Sequence, residues 1–232
     1  HHLRAVKKLK NIHFTVVNGE NAAMVGLTPN DAERIFSAGA DVITLGNHTF
    51  GKMQITDYLD DCPYILRPHN LGARVPGRGY GVFDCGRARI AVMNLIGRCD
   101  LAFHADNPFK TADELLKSGE KPMFTLLDFH AEATSEKLAM AYYLDGRVSA
   151  IWGTHTHVPT ADEEVFPKGT GYLTDLGMTG AVRSVLGIKP EQSVETFLGG
   201  LPGRYREPEK RAIFTLDDAT GFCVSVERVD VR

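Results

Sequence analysis

The chain alternates short apolar runs with amphipathic stretches. His13 to Asn18 (HFTVVN) is rich in β-branched and aromatic residues and reads as a buried strand. Thr28 offers an N-cap and Pro29 a first helical position for a helix covering roughly Asn30 to Ala38, which Gly39 stops. Asp41 to Leu45 (DVITL) is a second short strand, followed by a helix from about Met53 to Asp60. Gly77 to Asp84 and Ala88 to Ile96 predict a hairpin turning near Cys85-Gly86. Thr111 to Ser118 has a helical pattern, Met123 to Phe129 (MFTLLDF) reads as a buried strand, Ser135 to Leu144 as a helix, and Val148 to Trp152 (VSAIW) as a strand. The tail returns to short strands at Gly171 to Asp175, Ile213 to Asp217 and Cys223 to Val229. At the start, Leu3, Val6 and Leu9 recur at helical spacing among Arg4, Lys7, Lys8 and Lys10. The sequence is therefore expected to open inside a helix, and to lack a first β-strand.

Strands and helices alternate early and hairpins dominate late, which predicts an α/β fold. Four apolar strands run into residues that carry chemistry: Glu20, Asn47, His130, and the pair His155 and His157. Sites in open α/β sheets gather at the carboxyl ends of strands. One such residue would mean little; four strands delivering Glu, Asn, His and a His-x-His pair to one edge point to a metal site.

Composition narrows the setting. The 232 residues are 43% hydrophobic and 24% charged, ordinary for a globular domain, and fit one domain over residues 1–232. A net charge of −3 gives no overall field for nucleic acid or membrane, while a local basic patch able to hold a phosphate leaves nucleic acid open. Cys62, Cys85, Cys99 and Cys223 form no CxxC pair and read as reduced thiols of a cytoplasmic protein. No apolar run is long enough to span a bilayer, and no signal peptide is expected. A homo-oligomer is compatible with all of this.

Zinc, manganese and iron accept imidazole nitrogen and carboxylate or amide oxygen. His155 and His157, two apart on an extended segment, can serve two neighbouring metals or chelate one. Glu20 has two oxygens and can bridge two cations. Asn47 offers a neutral oxygen that leaves the site net positive, which suits an anionic substrate. Two cations roughly 3.5–4 Å apart can clamp a phosphoryl group and lower the pKa of a bridging water, giving a hydroxide nucleophile near neutral pH. His48 can donate a proton to the leaving alkoxide. Blander readings compete: His13, His69 and His104 as structural or solvated side chains, Glu20-Asn21 as a polar turn, and Asn47 as a tight-turn residue.

At these residues the chain resembles a known family. Gly46-Asn47-His48 matches the GNH block of calcineurin-like metallophosphoesterases, and Gly153-Thr154-His155-Thr156-His157 is similar to their GHxH block. The runs VNGENAA (Val17 to Ala23), GADVITLGNHTF (Gly39 to Phe50), DFHAEATSEK (Asp128 to Lys137), DGRVSAIWGTHTHVPTAD (Asp145 to Asp162) and TDLGMTG (Thr174 to Gly180) resemble the YmdB-type bacterial phosphodiesterase branch. The resemblance implies a four-layer α/β architecture, a β-sandwich of two sheets flanked by helices. It implies that Glu20 bridges two metal ions, that Asn47, His130 and His155 complete one metal and that His157 serves the other. Asn21 would touch the metal shell or the substrate, and His48 would be the general acid. The implied activity is hydrolysis of small phosphodiesters, cyclic nucleotides included, with iron or manganese as the metals and zinc as an alternative. A phosphomonoesterase or protein phosphatase using the same site, and a weakly metal-binding regulatory module, are the rival expectations. The sequence departs from the family in three places. The strand carrying a metal-binding Gly-Asp pair has no match, the loop Ala22 to Leu27 is short, and Gly51 stands where an acid is common.

Overall fold

The computed structural model describes residues 2–101, 104–117, 121–180, 184–200 and 211–229. Helix α1 (His2–Leu9) leads into β1 (Val16–Asn18), α2 (Pro29–Ala38), β2 (Val42–Thr44), α3 (Ile55–Asp61) and β3 (Ile65–Leu66). The hairpin β4 (Tyr80–Asp84) and β5 (Arg89–Ile96) follows, then α4 (Pro108–Leu116), β6 (Phe124–His130), α5 (Thr134–Leu144) and β7 (Ala150–Thr154). β8 (Glu164–Val165), β9 (Gly171–Leu173), α6 (Pro190–Phe197), β10 (Arg211–Leu216) and β11 (Cys223–Val229) complete the order.

Local chemistry explains most boundaries. Thr28 caps α2 by accepting a hydrogen bond from the Asp31 amide (3.2 Å), and Gly39 ends it in the left-handed region at φ 113°. Helix α4 starts three residues before the predicted Thr111. Asn107 caps it there, its side chain accepting from the Phe109 and Lys110 amides, and Pro108 fills the first turn. β1 is shorter than the predicted His13 to Asn18: the Thr15 amide donates to the Asp41 side chain (Oδ2, 2.7 Å) in place of a neighbouring strand's carbonyl, so the ladder starts at Val16.

Two sheets face each other. The smaller has the order β1-β2-β3, all parallel; the larger has the order β4-β5-β6-β7-β9-β8, parallel from β5 through β9. Val42 and Leu66 of the small sheet pack against Val92, Phe124, Leu126 and Trp152 of the large one. The outer face of the large sheet carries Leu95, Leu127 and Phe129, which α4 and α5 cover with Ala112, Met140 and Leu144. The outer face of the small sheet is covered by α2 and α3 through Ala32, Ile55 and Leu59. Both faces of β6 are therefore apolar, which is why MFTLLDF reads as a continuous hydrophobic run. The result is the expected sandwich of helix, sheet, sheet and helix. The tail strands predicted at Ile213 to Asp217 and Cys223 to Val229 are β10 and β11, which form a separate two-stranded antiparallel sheet. All four cysteines are free thiols. No helix among the described residues is long and apolar enough to cross a membrane.

Candidate metal centre

Parallel strands put their carboxyl ends on one edge, and the chemistry-bearing residues lie there. Glu20 follows β1, Asn47 follows β2, His130 ends β6 and His155 follows β7. His130 is the register partner of Thr154, so β6 and β7 finish at the same level. Glu20 and His130 are buried, His155 is partly so, and a ligand atom from each lies within 4.8 Å of the others. His130 Nε2 is 2.8 Å from Asn47 Oδ1, 3.2 Å from Glu20 Oε2 and 3.1 Å from His155 Nδ1. His157 stands outside this tightest group and is joined to it by Asn21, whose Nδ2 lies 3.2 Å from His157 Nε2. His13, His69 and His104 are exposed, with His13 paired to Arg87 at 2.7 Å.

A layer of polar residues behind the site sets which nitrogens face inward. Asp128 is fully buried and accepts from Thr44 Oγ1 (2.5 Å), Thr154 Oγ1 (2.7 Å) and Asn18 Nδ2 (3.1 Å). Thr154 spends its one proton on Asp128, so its oxygen accepts from His130 Nδ1 at 3.0 Å. That leaves His130 Nε2 with its lone pair pointing at Glu20, Asn47 and His155. On the other side His155 Nε2 meets Glu132 Oε2 at 3.1 Å, which turns His155 Nδ1 inward. Partners of this kind orient metal-binding imidazoles.

Two imidazole lone pairs, a carboxylate and an amide oxygen thus converge with nothing of opposite charge between them. Electrostatics reports the same tension. Burial pushes the Glu20 carboxyl up to about 7, against a pull down from the His48 amide, which donates to Glu20 Oε1 at 2.7 Å. Burial, then the neighbouring His155, holds His130 well below the usual imidazole range. His155 and His157 are also lowered, chiefly by burial. A divalent cation relieves each of these costs at once. Two further observations fit that reading. A Cβ on Gly46 would lie 2.2 Å from His130 Cε1 and 2.4 Å from Glu20 Oε1, so glycine alone leaves room for the donors to close around a shared point. Asn21 Oδ1 is buried with no hydrogen-bond partner among the described residues, beside His157.

Sequence reasoning missed Gly46 as the wall of the site and missed Asn18, Asp128, Glu132 and Thr154 behind it. Only Asp128 carried a signal, as a polar residue inside an otherwise apolar strand. Glu20, Asn21, His155 and His157 line one end of a cavity of about 1170 Å³ that continues between the sheets past Val16 and Trp152.

Comparison with known proteins places the chain in a family. A profile of the YmdB-like protein family matches residues 1–229. A 2',3'-cyclic-nucleotide 2'-phosphodiesterase of Bacillus subtilis (strain 168) is 44% identical over 224 residues, which is 94% of this chain and 84% of that protein. The crystal structure of a novel phosphatase from Mycoplasma pneumoniae superposes with a TM-score of 0.87 at 34% identity, covering 98% of this chain and 85% of that one. A hypothetical protein from Thermus thermophilus superposes equally well, with a TM-score of 0.87 at 36% identity over 98% of this chain and 90% of its own. With a family profile spanning almost the whole sequence and the same sandwich in both crystal structures, the chain belongs to the YmdB-like family of metallophosphoesterase-type enzymes.

Proposed function

We propose that this protein hydrolyses small phosphodiesters, 2',3'-cyclic nucleotides among them, at a centre of two metal ions. The observation that carries the proposal is the convergence of Glu20, Asn47, His130 and His155 with their lone pairs turned inward. Asn47, His130 and His155 would hold one ion, His157 the other, with Glu20 bridging and Asn21 offering its unpartnered oxygen beside His157. Iron or manganese suits this mix of imidazole, carboxylate and amide, and zinc is accepted by the same donors. When bound, the ions neutralise phosphoryl oxygens and activate a water as nucleophile.

The protein's own residues do the rest. Glu20 is held in place by the His48 amide, so its carboxylate cannot swing away from His130. Asn47 adds an oxygen without adding charge, which keeps the centre net positive toward a phosphate. His48 follows Asn47 directly, and its half-buried ring lies near enough to His130 and His157 to lower both. His48 would give a proton to the departing alkoxide. The free thiols fit a cytoplasmic enzyme.

The test is turnover of bis(p-nitrophenyl) phosphate and of p-nitrophenyl phosphate, with and without added Mn2+. Metal-dependent cleavage of the diester is expected. Cleavage of the monoester alone would replace this reading with a phosphatase. Absence of both would leave a binding module.

A further inference from the structure

The turn that carries His155 and His157 is held from behind by a buried ion pair. His155 and His157 both sit in the left-handed backbone region, at φ 101° and 64°. Residues with side chains enter that region reluctantly, and two of them on either side of one residue persist only where the surroundings fix them. The residue between them is Thr156, and both of its donors point to one acceptor. Asp175 Oδ2 accepts from the Thr156 amide at 3.2 Å and from Thr156 Oγ1 at 2.8 Å. The same oxygen meets Lys137 Nζ at 2.6 Å, with both side chains at most 2% exposed. Asp175 Oδ1 accepts from the Gly177 amide at 2.8 Å, and the Asp175 amide donates to Thr160 Oγ1 at 3.0 Å. The Met178 amide closes the lacing on the His157 carbonyl at 3.0 Å.

Lys137 reaches Asp175 only because of Gly153. A Cβ there would lie 2.8 Å from Lys137 Cδ and 1.8 Å from the Thr174 carbonyl oxygen. Taking two charges out of water costs as much as their attraction returns, so such a pair adds little to stability by itself. What it does supply is a fixed acceptor at one point in space. We propose that Asp175, balanced by Lys137, is the positioning residue of the ligand turn: through Thr156 it aims the imidazoles of His155 and His157 at the metal centre. The assignment rests on the metal-centre reading above and extends it to residues that touch neither metal nor substrate.

The test is Mn2+ affinity of the 232-residue chain, measured by competition with a fluorescent chelator. Thr156→Val keeps the shape and the backbone amide but removes the hydroxyl that Asp175 holds. It is expected to weaken Mn2+ binding roughly 10- to 100-fold, the usual effect of losing an outer-shell partner. Thr156→Ser restores the hydroxyl and is expected to recover most of that loss. At saturating Mn2+, kcat for the diester should return to within about 3-fold of wild type, since the turn is displaced and not destroyed. The double variant Lys137→Met with Asp175→Leu removes the acceptor together with its counter-charge, avoids stranding one, and should lose affinity to the same degree. Unchanged affinity in Thr156→Val, or a Thr156→Ser variant as weak as Thr156→Val, would overturn the assignment. A wild-type chain that binds no Mn2+ would instead sink the metal-centre reading itself.

Discussion

Cation binding is expected to behave as a one-proton titration, and pH is the perturbation that exposes it. Burial raises the Glu20 carboxyl from 4.5 to about 7 in the metal-free chain. His130, His155 and His157 move the other way, each lowered chiefly by burial. At pH 7, already above the ordinary imidazole value, the lowered imidazoles therefore offer free lone pairs, while Glu20 still holds a share of a proton that an incoming ion must expel. The sign follows: affinity falls as pH drops below the raised Glu20 value and levels off above it. One proton lost as the first ion binds gives close to a tenfold change per pH unit, so from about pH 6 to the plateau the gain in that ion's affinity is roughly 10-fold, or about 1.4 kcal/mol. Glu20→Gln has no proton to release. Its binding is expected to be weaker overall and flat across the same range. Calorimetric titration with Mn2+ in two buffers of different ionisation enthalpy counts the protons directly. Two or more protons released, or a Glu20→Gln variant with the wild-type slope, would mean that an imidazole and not the carboxyl is titrating, and the electrostatic reasoning would fall.

Three further outcomes are expected. His48→Ala should lower kcat by roughly 10²–10⁴-fold with metal content intact, the loss shrinking for a diester with a good leaving group; equal losses for good and poor leaving groups would remove the acid role. Gly46→Ala should lose most bound metal, because its Cβ would fall 2.2 Å from the His130 ring, and elemental analysis after gel filtration checks it. The same analysis on wild type should find one ion held more tightly than the other, since Glu20, Asn47, His130 and His155 crowd one position while the proposed second ion would have only Glu20, Asn21 and His157; two equally tight ions would contradict this.

The site was legible in the sequence wherever an apolar strand ran directly into a polar residue. Asn47, His130 and His155 each follow such a run, and the strand's length sets how far the residue is carried. What stands behind them was not legible, because it joins distant positions. Asn18 reaches Asp128, and Lys137 reaches Asp175, across segments that no local pattern connects. Short elements escaped for a different reason. β3 and β8 have two residues each, too few for any period to show. Helix α6 (Pro190–Phe197) escaped although Pro190 marks its first turn. It carries an exposed Phe197 and Val194, so no apolar stripe sets it apart. The early start of α4 could have been read: Asn107-Pro108 is a cap followed by a first-turn proline.

The pairing of β5, β6 and β7 makes metal uptake a gauge of folding fidelity. Ile96, His130 and Thr154 lie level across the three strands. Because side chains alternate, sliding β6 by one position would send Asp128 and His130 into the helical layer and present Phe129 at the mouth of the site. The apolar content of β6 does little to forbid that error, since Phe124 and Leu126 occupy one face and Leu127 and Phe129 the other. The polar side chains near its end break the symmetry. Molecules refolded with that strand one notch out would be compact, hydrophobically satisfied and blind to metal, so the fraction of chains that captures an ion counts those whose central strands found their proper neighbours.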